Sequence, residues 1–164
     1  MKNILNVDDI QCIFYDFDGV MTDNRVMVSQ DGSESVIVNR GDGYAVARIK
    51  EMGIPQIIVS TETNHVVEKR AEKLNIPVIH GVNDKAKIIE EYCAEKGFNL
   101  KKTLFIGNDL NDLSALKIVG MKAAPADAEP EIICIADWVS ERKGGYGAIR
   151  DLYRFLTMGA PGND

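Results

Sequence analysis

The chain has 164 residues, with 45% hydrophobic and 27% charged residues and a net charge of −6. This is enough chain for one globular domain with a sizeable core. The acidic balance argues against a nucleic-acid partner and against an anionic membrane surface. No apolar run approaches the roughly 18 residues of a membrane span. The polar, acidic segment 1–9 is not expected to be a signal peptide. Cys12, Cys93 and Cys134 are odd in number and widely spaced. They read as core thiols in a reducing cytoplasm, neither a disulfide frame nor a zinc site.

The predicted elements begin with the apolar run from Ile10 to Tyr15, which reads as a buried strand ending in Asp16-Phe17-Asp18-Gly19. Ligands of an open parallel sheet bind beyond the carboxyl ends of its strands, so Asp16 and Asp18 are expected at a pocket mouth. Two carboxylates this close repel unless a cation lies between them, and a hard divalent ion such as Mg²⁺ suits them. One can then act as a nucleophile and the other as a proton shuttle. The plain alternative is a strand-end aspartate capping a turn beside a solvated neighbour.

Residues 24–39 read as a hairpin around Asp31-Gly32, able to cover the pocket or to pack on another subunit. Arg40-Gly41-Asp42-Gly43-Tyr44 follows, then a helix over 45–52 stopped by Gly53. A second strand is expected at 55–60, a helix at 62–74, a short strand at 76–79 and a helix at 84–97. A third long strand covers 103–106 and closes in Gly107-Asn108-Asp109. Further on come a helix at 110–119, short strands at 121–124 and 136–139, and a last helix at 148–156. The tail 159–164 is expected to be flexible. Strands alternating with helices predict an α/β, doubly wound, Rossmann-like parallel sheet. It forms one domain over 1–158. The hairpin protrudes after the first strand, and no crossover is long enough to hold a cap domain.

Four strand ends then carry polar groups with one coherent use. Asp16 and Asp18 close the first. Ser60 and Thr61 close the second, just before a helix start, where hydroxyl and N–H groups favour an anion. Lys85 opens a later helix and can hold a phosphoryl oxygen. Gly107 to Asp112 supplies oxygen ligands for a hard cation. Taken singly, Ser60 or Thr61 reads equally as a helix cap, Lys85 as a solvated lysine, and Asn108 and Asp109 as cap and turn residues. Their joint placement, each after the right element, points to phosphoryl transfer.

On these motifs, with Lys143-Gly144-Gly145-Tyr146-Gly147-Ala148-Ile149-Arg150 added, nearly the whole chain resembles the haloacid dehalogenase superfamily of phosphatases. It is most similar to the capless branch acting on 3-deoxy-D-manno-octulosonate 8-phosphate and related nine-carbon keto sugar acid phosphates. The resemblance implies Asp16 as nucleophile and Asp18 as acid and base. It implies Mg²⁺ held by Asp16, the Asp18 carbonyl, Asn108 and Asp109. Ser60, Thr61, Lys85, Arg40 and Asp42 are then expected on the substrate, with Glu62 deciding which sugar acid is taken. A small phosphorylated sugar acid is the implied partner, in a cytoplasmic homotetramer whose neighbouring subunit closes the site. The segment 144–147 is expected to reach the substrate.

Two positions depart from the family pattern. Asn108 stands where a metal-binding aspartate is usual, and Thr61 where glycine is usual. An amide oxygen still binds Mg²⁺ but brings no charge. An alternative is a non-catalytic assembly or regulatory domain of sialic-acid activation. A phosphoacceptor receiver, a third possibility, carries its acceptor aspartate on a later strand than Asp16 occupies.

Overall fold

The computed structural model describes residues 6–158. The expected flexible tail at 159–164 lies outside them. Strands β1 (Cys12–Tyr15), β4 (Gln56–Val59), β5 (Val78–Ile79), β6 (Thr103–Ile106), β7 (Met121–Ala124) and β8 (Trp138–Val139) form one sheet in the order β5-β4-β1-β6-β7-β8. All its pairings are parallel. This is the doubly wound sheet predicted from the alternation. The chain runs outward from β1 to β5 and then returns to pair β6 on the other side of β1. That reversal places the crevice of the sheet at the β1 end.

β1 is buried along its length because helices cover both faces. Its alternate side chains divide between two cores. Ile13 and Tyr15 pack with α1 (Arg40–Glu51), α2 (Val66–Leu74) and α6 (Ala148–Met158). Cys12 and Phe14 pack with α3 (Lys85–Lys96), α4 (Leu113–Ile118) and α5 (Pro130–Ile135). Two of the buried polar side chains beneath the sheet pair with each other. Tyr15 donates to Gln56 Oε1 at 2.7 Å, and Gln56 Nε2 donates to the Val46 carbonyl at 3.0 Å. Among the described residues, no helix is long and apolar enough to cross a membrane.

The hairpin forms from β2 (Met27–Val28) and β3 (Glu34–Ser35), antiparallel, with Gly32 at φ +82° in the turn. A bridge between Thr22 and Val38 anchors its root. Differences from the sequence reading include two helix starts and one added helix. α1 starts at Arg40, not 45, because Asn39 Oδ1 accepts from Gly41 N at 2.8 Å and Asp42 N at 3.3 Å. The glycine-rich stretch is thus a capped first turn. α2 starts at Val66, not 62. Glu62 Oε1 accepts from the Thr63 and Asn64 amides at 2.9 and 3.1 Å, which holds a loop open instead. α5 was not expected, although Pro130 sits at its first turn, where proline is favoured.

Candidate active site

Asp16 leaves β1 with its amide bonded to the Ile106 carbonyl at 3.0 Å, so it stands at the junction of β1 and β6. It is 5% exposed. Lys85, the first residue of α3, reaches the same point from the opposite side of the crevice. Asp84 caps that helix by accepting from Lys87 N at 3.2 Å, which fixes where Lys85 projects. Lys85 Nζ lies 2.7 Å from Asp16 Oδ1 and 2.7 Å from Asp112 Oδ1. Asp112 is fully buried, and its other oxygen accepts from the Asn108 and Asp109 amides at 2.9 and 3.3 Å. One ammonium is therefore shared by two buried carboxylates, so with both ionised the triad would carry one uncompensated negative charge.

That excess shows in the protonation equilibria. Burial pushes Asp16 up to about 8; the Asp112 charge adds to this, and Lys85 opposes it. For Lys85, burial works against the ammonium, but Asp16 and Asp112 outweigh it and hold the pKa above the ordinary lysine value. Asp18 is raised as well, first by burial and then by the nearby Glu62 charge. A buried cluster with surplus negative charge takes up a proton or a cation.

Asn108 supplies a place for the cation. With its amide nitrogen turned inward it donates to Asp16 Oδ2 at 2.8 Å and to the Asp18 carbonyl at 2.9 Å. With the oxygen turned inward, carboxylate, carbonyl and amide oxygens converge with no proton between them. Among the described residues no three His, Cys, Asp or Glu side chains form a metal cage. A set of one carboxylate, one carbonyl and one amide suits a hard ion that keeps most of its waters. The approach depends on Gly19, at φ +84°. A Cβ there would lie 2.0 Å from Asn108 Nδ2.

The other predicted residues separate into two groups. Ser60 is buried, and its hydroxyl accepts from the Glu62 amide at 3.1 Å. Thr61 is exposed beside Asn111, whose Nδ2 lies 3.4 Å from Thr61 Oγ1. Glu62 joins Asp18, Glu34, Asn64, Asn24 and Arg25 in lining a cleft of about 290 Å³. Arg40 and Asp42, expected on the substrate, line no part of that cleft. Asp42 Oδ1 instead accepts from the Arg150 amide at 2.9 Å, capping α6. Arg40 lies exposed at the start of α1.

Asp109, expected on the metal, accepts from Leu110 N at 2.6 Å and caps the short turn after β6. Asp112 takes the inward position. Of the segment 144–147, Gly144 and Gly145 pack under the loop, while Tyr146 is exposed and its side chain meets Arg25 of the cleft. A Cβ on Gly144 would lie 1.8 Å from the Gly19 carbonyl oxygen, and Gly145 N donates to the Val20 carbonyl at 3.0 Å.

Sequence reasoning missed three residues. Asp112 follows Asn108 by four residues, and its inward role was legible only as one oxygen ligand among several. Glu34 and Arg25 come from the hairpin, and no local pattern announces that they face the cleft. Asn64 Nδ2 donates to Glu34 Oε2 at 2.9 Å and ties the hairpin to the loop before α2.

Comparison with known proteins agrees with this fold. A family model for haloacid dehalogenase-like hydrolases matches residues 52–149. The 3-deoxy-D-manno-octulosonate 8-phosphate phosphatase KdsC of Yersinia pestis is 31% identical over 92% of this chain and 81% of its own. N-acylneuraminate cytidylyltransferase A of Danio rerio is 24% identical over 91% of this chain, which spans only 35% of that protein's length. Among solved structures, a chain described as a HAD family hydrolase from Streptomyces avermitilis MA-4680 superposes with a TM-score of 0.90. It is 40% identical, with 94% of this chain and 95% of that one covered. The 3-deoxy-D-manno-octulosonate 8-phosphate phosphatase of Moraxella catarrhalis, solved with magnesium, phosphate and KDO, superposes at 0.89 with 25% identity, covering 93% and 88%. The chain belongs to the haloacid dehalogenase-like hydrolases, in the branch of the KdsC phosphatases, and is itself a phosphatase.

Proposed function

We propose that this phosphatase hydrolyses the phosphomonoester of a 2-keto-3-deoxy sugar acid with Mg²⁺ as its cofactor. The observation that carries the reading is the Asp16–Lys85–Asp112 triad beside the inward oxygens of Asn108 and Asp18. Asp16, the Asp18 carbonyl and Asn108 would hold the ion, which when bound supplies positive charge against the phosphoryl oxygens. Asp16 attacks phosphorus through its free carboxylate oxygen and forms an aspartyl-phosphate as the sugar oxygen leaves. Asp18, two residues on and half-buried, gives that oxygen its proton. It then takes a proton from the water that releases phosphate, so the enzyme returns to its starting state. Lys85, together with Ser60 and the amides after it, holds the transferring group. Lys85 also keeps Asp16 in the orientation needed for attack.

Glu62 lies in the cleft beside Asp18 and would meet the polyol of the leaving group. An acidic residue there favours hydroxyls over a carboxylate, and this suits a nine-carbon substrate. The exposed apolar hairpin, with Met27 70% and Val28 63% exposed, fits a homotetramer in which a second subunit covers the cleft. The free cysteines fit a reducing cytoplasm.

The test is phosphate release from the eight-carbon and nine-carbon substrates, with and without Mg²⁺, beside an Asp16→Asn control. Turnover of one substrate that requires both Mg²⁺ and Asp16 is the expected result. A second reading, a weakly active assembly domain of sialic-acid activation, draws on Asn108 and on the likeness to part of the cytidylyltransferase. Folded, tetrameric protein that turns over neither substrate would favour it.

A further inference from the structure

Among the described residues, two other than glycine have a positive φ: Asn24 at +66° and Asn75 at +53°. Asn75 ends α2 as its C-cap, where that conformation is common. Asn24 ends no helix. It sits at the hairpin root, between the Thr22–Val38 bridge and β2, and it lines the cleft. Left-handed backbone is unfavourable for a residue with a Cβ, and asparagine tolerates it better than most. The conformation by itself therefore marks only a turn.

The neighbours of Asn24 hold that turn in place. The hydroxyl oxygen of buried Thr22 accepts from Asn24 N at 3.1 Å and from Gly19 N at 3.2 Å. Asp23 Oδ1 accepts from Arg25 N at 3.1 Å, and Asp23 Oδ2 accepts from Arg25 Nε and Nη2 at 2.9 and 2.7 Å. Gly19 belongs to the loop that carries Asp16 and Asp18. One buried hydroxyl thus ties Asn24 to that loop.

The other polar groups around the cleft are largely engaged. Asn64 donates to Glu34 through Nδ2 and accepts from Val66 N at 3.0 Å through Oδ1. Glu62 Oε1 accepts from two loop amides, and Arg25 is held by Asp23. Asn24 is exposed, and among the described residues its side-chain amide makes no hydrogen bond. A planar amide carries an oxygen and an NH₂ side by side, so it can accept from one hydroxyl and donate to the next. Adjacent hydroxyls of an open sugar chain offer that pattern. A carboxylate only accepts, and it would leave the amide oxygen unpaired.

We propose that Asn24 is a specificity-determining residue that binds two adjacent hydroxyls of the leaving sugar chain. This rests on the polyol-bearing substrate proposed above. It adds a neutral reader from the hairpin root to the acidic Glu62 from the loop after β4.

The test is steady-state kinetics of Asn24→Gly at saturating Mg²⁺. The substrates are the eight-carbon and nine-carbon keto sugar acid phosphates, sorbitol 6-phosphate and phenyl phosphate, whose leaving group has no polyol. Glycine adopts a positive φ freely, so the variant keeps the turn and its melting temperature is expected to hold. The ratio of kcat/KM for a hydroxylated substrate to that for phenyl phosphate is expected to fall roughly tenfold, as for two net hydrogen bonds, with the loss in KM. An unchanged ratio, even with all substrates slowed alike, would overturn the role of Asn24. Asn24→Asp keeps the turn and the acceptor but loses the donor. Its ratio is expected to fall as well, and a native ratio there would overturn the two-hydroxyl contact. Native enzyme that takes sorbitol 6-phosphate but neither keto sugar acid phosphate, with the ratio falling in Asn24→Gly, would uphold Asn24 and overturn the sugar acid. Native enzyme that hydrolyses phenyl phosphate alone would overturn both.

Discussion

Asp16 and Asp42 make an instructive pair. Both are aspartates in the inner part of the molecule, 5% and 2% exposed, and burial raises both, to about 8 and about 6. Their surroundings differ in kind. Asp42 is met by backbone amides at the start of α6, with the charges of Arg70 and Arg142 at a distance. Asp16 is met by a buried ammonium that it must share with a second carboxylate, and by an amide able to present either nitrogen or oxygen. A raised carboxylate alone does not mark chemistry, because a helix cap produces one as well. The mark of the site is a charge imbalance that protein groups leave unresolved.

The contrast breaks most severely at Lys85. Lys85→Met leaves Asp16 and Asp112 facing each other in the interior without a counter-ion. Losing one partner of such a buried cluster costs about 3–5 kcal/mol. Urea denaturation at neutral pH should show a loss of that order, together with loss of phosphate release. Unchanged stability would mean that the triad is not a true charge cluster.

The middle-sized effect belongs to Asp42. Its folded pKa lies above the ordinary aspartate value, so between about pH 4 and pH 6 the native state binds more protons than the unfolded one. The contribution of Asp42 to stability therefore falls as pH rises through that window and is constant above it. A shift of this size corresponds to roughly 3 kcal/mol. Asp42→Asn keeps the acceptor for the α6 amide and removes the titration. Relative to the native protein, the variant should lack this decline in thermal stability, with KM for the sugar acid phosphate unaltered. A raised KM would return Asp42 to the substrate.

Asn108→Asp gives the smallest effect and sharpens the comparison most. It adds a charge to a cluster already in excess and removes the donor to Asp16 Oδ2. Melting temperature without metal should fall, while the rise on adding Mg²⁺ should grow. The concentration of Mg²⁺ giving half-maximal activity should drop by roughly tenfold, about one unit-charge contact at partly screened distance. A metal requirement that does not move would place the ion away from Asn108.

Much of this was legible in the residues themselves. The apolar run into Asp16, the Asp-Gly of the hairpin and the strand–helix alternation each have local physical causes, and all appear where expected. The residues that converge on the crevice were also legible, since each stands at a strand end or helix start whose type the local sequence decides. Side-chain direction was less so. Asp109 and Asp112 are both acidic residues of one short turn. Only the packing of Lys85 from α3 selects Asp112 as the inward one. Arg40 and Asp42 looked like binding residues because they follow the hairpin in a glycine-rich motif. Asn39 caps that motif into a helix, and its first turn carries Arg40 to the surface and Asp42 under α6. The 144–147 segment was expected to reach the substrate, yet Gly144 and Gly145 are there because backbone passes too close for any Cβ.

That close passage has a consequence for how the protein becomes active during synthesis. The loop carrying Asp16 and Asp18 is closed from beneath by Gly144 and Gly145, which lie about 125 residues further along the chain. A contact of such sequence separation forms late and makes folding slow relative to helical neighbours. A ribosome-bound chain that has exposed its nucleophile still lacks the floor of its own active loop. Activity should appear only when nearly the last helix has emerged, in one step instead of by increments, and chains cut short before Gly144 should hydrolyse nothing.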